Sequence, residues 1–133
     1  MREIALTKRI PILEPVYAGT PTPIDGWKID KFRSIRPVKG ANFNDRLAGL
    51  PVIGDSLKNI GIYEGDLLVF KFTSEAPPEK LCIWQTPHGN TAKFARENLD
   101  GTITLHNKNG WHQDWSADDV RLVGVVVRVE RDL

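Results

Sequence analysis

The stretch VIGDSLKNIGIYEGDLLVF, residues 52–70, carries the clearest structural signal in this chain. It places Ser56 in a Gly-Asp turn directly after an apolar run, and a second turn at residues 63–66 leads into an apolar strand. Glycine and aspartate favour tight turns. A turn of this kind holds one hydroxyl out from rigid backbone with amide N–H groups close by. Ser56 is therefore a candidate nucleophile.

The bulk composition indicates one soluble domain. At 133 residues the chain can bury a real core, and 18 basic against 17 acidic residues leave a net charge of +1. That balance gives no global electrostatic case for a nucleic-acid or acidic partner. No apolar run approaches the roughly 18 residues of a membrane span, and the first four residues lack a signal-peptide core. The sequence predicts a cytoplasmic protein without membrane contact.

The single cysteine, Cys82, excludes an internal disulfide. It lies within the apolar stretch LCIW, which predicts a small buried residue. A chain without disulfides suits a reducing compartment.

Residues 1–26 form the first of two predicted regions, an extended N-terminal arm ahead of a main domain at 27–133. Four prolines in the arm disfavour helices and central strands; they are Pro11, Pro15, Pro21 and Pro23. Short strand-like pieces are expected at Ile12-Leu13 and Val16-Tyr17. We find no helix-turn-helix in this region and expect no DNA-binding module there.

A basic connection follows from Trp27 to Asn44. Its positive charges are offset only by Asp30. The basic residues are Lys28, Lys31, Arg33, Arg36 and Lys39. The pattern is typical of a solvated surface loop or short helix, with a partner or nucleic-acid patch as the alternative.

The remainder of the chain predicts strands joined by turns, so the class is mainly β. The expected strands are Leu67–Phe72, Leu81–Gln85, Thr91–Arg96, Thr102–His106 and Leu122–Val129. Turns are expected at 87–90 and 98–101, and a long loop from Asn107 to Asp119. The last strand is so apolar and β-branched that we expect it in the core or at a subunit interface.

A serine hydroxyl needs a base to act as a nucleophile. His88, His106 and His112 are candidates for a classical triad, but each lies in or beside a polar turn or loop, where exposed histidines are common. Metal binding by His106, His112 and Asp114 is a further alternative.

A lysine can serve as the base only when its amine is neutral, because a free lysine with a pKa near ~10.4 is charged at neutral pH. Burial without a carboxylate partner lowers that pKa. Lys93 meets the condition, since its neighbours in the segment NTAKFA are small or apolar. Strand alternation places Thr91, Lys93 and Ala95 on one face. Local sequence alone leaves open an ordinary outward-facing lysine.

The Ser56 turn, followed along the chain by Thr91-Ala92-Lys93-Phe94, resembles the LexA/UmuD-like family of self-cleaving serine peptidases. The separation between Ser56 and Lys93 is also similar to the separation between serine and lysine in that family. Leu57 stands where the family's Gly-x-Ser-Met motif has methionine, an apolar exchange of similar volume. The resemblance implies a LexA/signal-peptidase-like fold of several coiled, mostly antiparallel sheets with an extended N-terminal arm. It implies Ser56 as nucleophile, Lys93 as base, backbone N–H groups of Asp55 and Ser56 as oxyanion donors, and neither cofactor nor metal.

Members of this family cut their own chain at an Ala-Gly or Cys-Gly bond, and Ala18-Gly19 in the segment VYAGTP is the counterpart here. Small Ala18 suits a tight pocket, and Gly19 lets the backbone bend close to a nucleophile on the same chain. Taken alone, the segment would be only a turn.

The resemblance implies a homodimer of the SOS response that cleaves itself when a RecA filament on single-stranded DNA favours the cleavable state. The short arm favours a UmuD-like subunit of an error-prone DNA polymerase. The alternative is the C-terminal domain of a LexA-like or prophage repressor, which would contact operator DNA only through an additional N-terminal domain. From another class, a non-enzymatic dimerisation or partner-binding module remains open. The loop from Gly110 to Trp115 is either a binding platform or an anchor against the body.

Overall fold

The computed structural model describes residues 7–14, 28–39, 41–42, 44–75 and 77–132. Within these ranges the chain forms strands and one turn of 3₁₀ helix at Lys58–Ile60. The strands are β1 (Lys8–Leu13), β2 (Ile29–Ile35), β3 (Leu47–Pro51), β4 (Leu67–Phe72), β5 (Cys82–Thr86), β6 (Gly89–Glu97), β7 (Thr102–His106), β8 (His112–Ser116) and β9 (Arg121–Glu130). The predicted mainly β class is confirmed. Within the described ranges, no helix has the length and apolarity needed to cross a membrane.

The described strands join in one mixed sheet in the order β2-β1-β3-β4-β9-β5-β6-β7-β8. Neighbouring strands run antiparallel, except β1 and β3, which are parallel. β9 lies between β4 and β5, where its run of β-branched side chains is paired on both edges. β9 is therefore a central strand of the sheet, in which Val123 and Gly124 are buried and Val129 is exposed.

The central strands agree closely with the sequence prediction. β4 and β7 have the predicted bounds, β5 starts one residue later than predicted, and β6 and β9 contain their predicted segments. Asn98–Gly101 forms the expected turn, in which Gly101 N–H donates to the Asn98 carbonyl at 3.0 Å. At the other turn only Pro87 and His88 are outside the strands, because Gly89 and Asn90 already pair with β5.

Three strands lie where the sequence predicted none. One is β3, which is the apolar run before the serine turn. The basic connection contains β2 instead of a loop or short helix, and the predicted loop from Asn107 to Asp119 contains β8. Both are the edge strands of the sheet. An edge strand pairs on one side only and tolerates charged, exposed side chains, so its sequence lacks the apolar alternation of inner strands.

Among the described residues, buried apolar side chains form three clusters. The cluster under the serine turn includes Leu50, Leu57, Leu68 and Ile83 from four different segments of the chain. β1, which lies within the predicted arm, packs Ile10 and Ile12 into a second cluster. The boundary at residue 26 between arm and main domain remains a prediction.

Candidate active site

The Ser56 turn follows β3 and is held by its own backbone. Gly54 has a φ of 81°, a left-handed conformation that glycine adopts without strain. The Asp55 carbonyl accepts from Lys58 N–H at 3.1 Å, and the Leu57 carbonyl accepts from Ile62 N–H at 3.2 Å. Leu57 is buried in the core, whereas Ser56 is exposed. An anchored turn therefore presents the Ser56 hydroxyl at the surface.

Lys93 lies in the middle of β6, opposite Cys82 of β5. Its side chain is only 8% exposed. Lys93 Nζ donates a hydrogen bond to Ser56 Oγ at 3.4 Å. The structure thus brings the predicted nucleophile and the predicted base into direct contact.

The environment of Lys93 disfavours its charged form. Burial lowers the pKa of the Lys93 amine below its ordinary value. Within the described residues, no carboxylate forms an ion pair with it. The ring of Trp111 has its centroid 5.2 Å from Nζ, and an aromatic face favours a cation. The lowered pKa increases the fraction of neutral amine, which can accept a proton.

The predicted oxyanion donors lie in the same turn as the Ser56 hydroxyl. Gly54 N–H donates to Glu64 Oε1 at 3.2 Å. In the described part of the chain, no group accepts a hydrogen bond from the N–H of Asp55 or Ser56. These two donors are free to meet an oxygen atom close to Ser56 Oγ, and their role remains a prediction.

A cleft of about 160 Å³ opens beside Ser56. Its walls come from β3, the serine turn that follows it, β4 and the start of β6. They include Leu50, Val52, Ile53, Leu68 and Ala92. A second cleft of about 270 Å³ borders Lys93 and is lined by Trp111, Trp115 and His88 among others. The clefts share Asn90 and Thr91, so a peptide backbone passing Ser56 would find apolar walls on one side and aromatic walls on the other.

Asn107 is the site residue that the sequence did not reveal. Its Nδ2 donates to the Ser56 backbone carbonyl at 3.1 Å. The residue is only 3% exposed. An asparagine at the start of a polar, glycine-containing loop is typical of an ordinary turn. No signal in the local sequence connects it to a serine so far away along the chain.

The other predicted candidates lie apart from Ser56 or beyond the described residues. Ala18 and Gly19 fall outside the described ranges. The ring of His88 packs edge-to-face with Trp115, His106 stacks on Phe94, and His112 lies beside the Gly110 carbonyl. None of these histidines hydrogen-bonds to Ser56.

Metal binding by His106, His112 and Asp114 gains no geometric support. Within the residues that the structure describes, no group of three or more potential metal ligands comes together. Cys82 is buried as predicted, and burial raises the pKa of its thiol to about 11. A thiol with that pKa stays protonated and is a poor nucleophile at neutral pH.

The fold and the site together define a mainly β protein with a serine paired to a buried lysine. The Peptidase S24-like family model matches residues 11–127. The chain is 32% identical over 124 residues to the LexA repressor of Lacticaseibacillus casei (strain BL23), with 92% of this chain and 58% of the relative covered. It is 31% identical over 128 residues to the LexA repressor of Actinobacillus pleuropneumoniae serotype 5b (strain L20), with 92% and 59% covered.

Because the family model covers most of the sequence, this chain belongs to the Peptidase S24-like family. It is also 30% identical over 122 residues to the LexA repressor of Frankia casuarinae, with 92% of this chain and 46% of the relative covered. The chain therefore spans only between 46% and 59% of the length of these curated relatives.

Proposed function

We propose that this protein is a serine peptidase that cuts its own chain between Ala18 and Gly19. The observation that carries the proposal is the 3.4 Å contact between Ser56 Oγ and the Nζ of buried Lys93. A serine activated by an adjacent neutral amine is a recognised form of nucleophile. Membership of a peptidase family supports the same chemistry.

In the proposed reaction, neutral Lys93 accepts the proton of Ser56 Oγ as the oxygen attacks the carbonyl carbon of Ala18. Backbone N–H groups of Asp55 and Ser56 stabilise the negative oxygen of the tetrahedral intermediate. The Lys93 ammonium then returns its proton to the nitrogen of Gly19, and the Ala18–Gly19 bond breaks. This leaves Ala18 as an ester on Ser56 and a new amino terminus at Gly19.

Water completes the reaction. Lys93 takes a proton from a water molecule that attacks the ester, and the same proton then returns to Ser56 Oγ. The products are a segment ending at the Ala18 carboxylate and a body beginning at Gly19. Since substrate and catalyst share one chain, the effective concentration of the scissile bond is high.

The proposed biological setting is the cytoplasmic SOS response. The protein would act as a homodimer, and a RecA filament on single-stranded DNA would promote its cleavage. In the first version, the cleaved form is a UmuD-like subunit of an error-prone DNA polymerase, as the resemblance of the Gly54-Asp55-Ser56 turn to UmuD suggests. The LexA repressors among its relatives favour a second version, in which the chain corresponds to the cleavage and dimerisation part of a repressor.

Intact-mass measurement of the purified protein at neutral and alkaline pH tests the proposed reaction. We expect loss of residues 1–18, faster at alkaline pH because more Lys93 is then neutral. Ser56→Ala and Lys93→Ala should abolish cleavage, with a loss of at least about 10³-fold, as expected when a catalytic pair is broken. A wild type that stays intact at every pH, also with RecA filaments added, would leave a non-enzymatic binding module as the better account.

A further inference from the structure

Asn107 occupies a position that connects the two halves of the site. β6 and β7 are antiparallel, and their register pairs Phe94 with His106. Extended by one residue, this register sets Asn107 beside Lys93. Asn107 therefore leaves the sheet next to the base, while its side chain reaches the turn that carries the nucleophile.

Every polar group described for the Asn107 side chain and carbonyl has a partner. Its Nδ2 donates to the Ser56 carbonyl at 3.1 Å, and its Oδ1 accepts from Asn109 N–H at 3.4 Å. Its backbone carbonyl accepts from Asn59 Nδ2 at 3.0 Å. Two hydrogen bonds thus cross from the β7 end to the Ser56 turn, over a separation of 51 residues in the first case.

These contacts add to the backbone hydrogen bonds within the turn, because they tie it to a distant strand end. Leu57 anchors the turn to the core through apolar packing, which does not fix the orientation of the neighbouring peptide group. A hydrogen bond is directional, and a donor aimed at the Ser56 carbonyl restrains the plane of the Ser56–Leu57 peptide, next to the Cα that carries the serine side chain. The Asn107 residue is also buried. Removal of its Nδ2 donor leaves the Ser56 carbonyl without this hydrogen bond.

We propose that Asn107 is a positioning residue that sets the distance between Ser56 Oγ and Lys93 Nζ by clamping the Ser56 peptide to the end of β7. This inference rests on the self-cleavage proposed above. Asn107 does not touch the reacting atoms; it acts through the backbone of the nucleophile. A misplacement of about 1 Å between reacting groups can reduce a rate by about 100-fold.

The test compares Asn107→Ala with Asn98→Ala. Asn98 is the matched control because it is also an asparagine with a hydrogen-bonded side chain, at the opposite end of the β6–β7 hairpin. Its Nδ2 donates to the hydroxyls of Thr102 and Thr104 at 2.9 and 2.8 Å. Two rates are measured at alkaline pH: self-cleavage by intact mass, and labelling of Ser56 by a small fluorophosphonate that reacts with activated serines. Thermal unfolding of each variant measures the loss of stability that both substitutions cause.

We expect Asn107→Ala to slow both rates by about 10- to 100-fold, while Asn98→Ala leaves both unchanged at a similar loss of stability. Wild-type rates in a folded Asn107→Ala protein would overturn the proposal. Equal slowing by Asn98→Ala would do so as well, because the effect would then follow from stability alone.

Asn59→Ala provides a second variant in case Asn107→Ala does not fold. Asn59 is exposed, and its side chain donates to the Asn107 carbonyl, so its removal loosens the same clamp from the other side. Slower labelling of Ser56 in Asn59→Ala supports the clamp, and an unchanged rate contradicts it. A wild type that never cleaves but is labelled at Ser56 removes the self-cleavage proposal and still tests Asn107.

Discussion

The burial of Lys93 lowers the stability of the fold. An ammonium group buried without a carboxylate partner destabilises the folded state. For the same reason, burial lowers the pKa of the Lys93 amine. The same shift makes Lys93 a better proton acceptor for Ser56. The feature that would serve catalysis is therefore expected to weaken the fold around β6.

Substitution of Lys93 by methionine tests this conflict. The methionine keeps an apolar stem of similar length and removes the buried charge, so we expect higher stability than wild type near pH 7. As pH rises toward the ordinary lysine pKa of 10.5, the folded state loses its proton before the unfolded state does. Wild type then gains stability relative to the variant, and the difference between them shrinks.

Equilibrium urea unfolding at about pH 7 and about pH 10 measures this difference. Both proteins carry Ser56→Ala, so that cleavage does not interfere. The same change at exposed Lys31 controls for the loss of one positive charge. A Lys93→Met protein less stable than its parent at neutral pH would contradict the account.

At the scale of single strands, β9 packs closely against β4 at Gly124. Gly124 of β9 pairs with Phe72 of β4, and its Cα lies against the backbone of Lys71. A Cβ atom at this position would meet the Lys71 carbonyl oxygen and would come within 2.8 Å of Phe70 Cδ2. Neither neighbour can move freely, because one is backbone and the other is a fully buried ring.

Gly124→Ala should therefore destabilise the protein by about 1–3 kcal/mol, the usual range for overpacking a core. Gly49→Ala is the matched control, since a Cβ there meets only the side-chain ends of Ile12 and Leu67, which can yield. Urea unfolding of both variants measures the effect. A loss for Gly124→Ala no greater than that for Gly49→Ala would show that β9 can shift to accommodate a methyl group.

The contrast between inner and edge strands explains why the two edge strands, β2 and β8, could not be predicted from sequence. β4, β7 and β9 have apolar, β-branched segments that specify a paired strand locally. β2 and β8 owe their conformation to a single neighbour, β1 or β7, and their own residues are mostly polar. Long-range pairing of this kind leaves little trace in a local pattern.

The candidate site divides in the same way. Ser56 and Lys93 could be named as candidates because a tight turn and an apolar strand context are local features. The choice of Lys93 over an ordinary exposed lysine rested on the resemblance to a known family. Asn107 could not be selected, because its role depends on the register between β6 and β7 and on a contact with a distant turn. Positioning residues in other sheets should be hidden from sequence for the same reason.

At the scale of the whole molecule, the segment after β9 returns to the turn that leads from the serine to β4. Arg131 donates from Nε to Asp66 Oδ1 and from Nη2 to Asp66 Oδ2, both at 2.7 Å, and also to the Gly61 carbonyl at 2.8 Å. Tyr63 N–H donates to the same carboxylate at 2.9 Å. A bidentate pair of this geometry is specific as well as charge-assisted. It ties the end of the last strand to the segment that follows Ser56.

This contact predicts a defined pH dependence of stability. The hydrogen bond from Arg131, with a further one from the Tyr63 backbone, lowers the pKa of Asp66 from 3.8 to about 2. Because the folded-state pKa is depressed, the contribution to stability is present above the unfolded value of 3.8 and is lost as pH falls toward about 2. Arg131→Gln removes the charged partner, so the variant should be less stable than wild type at neutral pH, and the difference should shrink in acid.

Urea unfolding from about pH 6 to about pH 3 follows this difference between wild type and Arg131→Gln. Arg33→Gln is the control, because Arg33 forms more exposed ion pairs with Glu130 and Asp132 at 3.9 and 3.5 Å and such pairs contribute little. A stability difference for Arg131→Gln that stays constant through the acid range would mean that the variant loses packing on Tyr63, whose ring centroid lies 5.0 Å from the Arg131 guanidinium, instead of the ion pair. The shrinking difference expected here would show that Arg131 stabilises the segment after Ser56 through the carboxylate of Asp66.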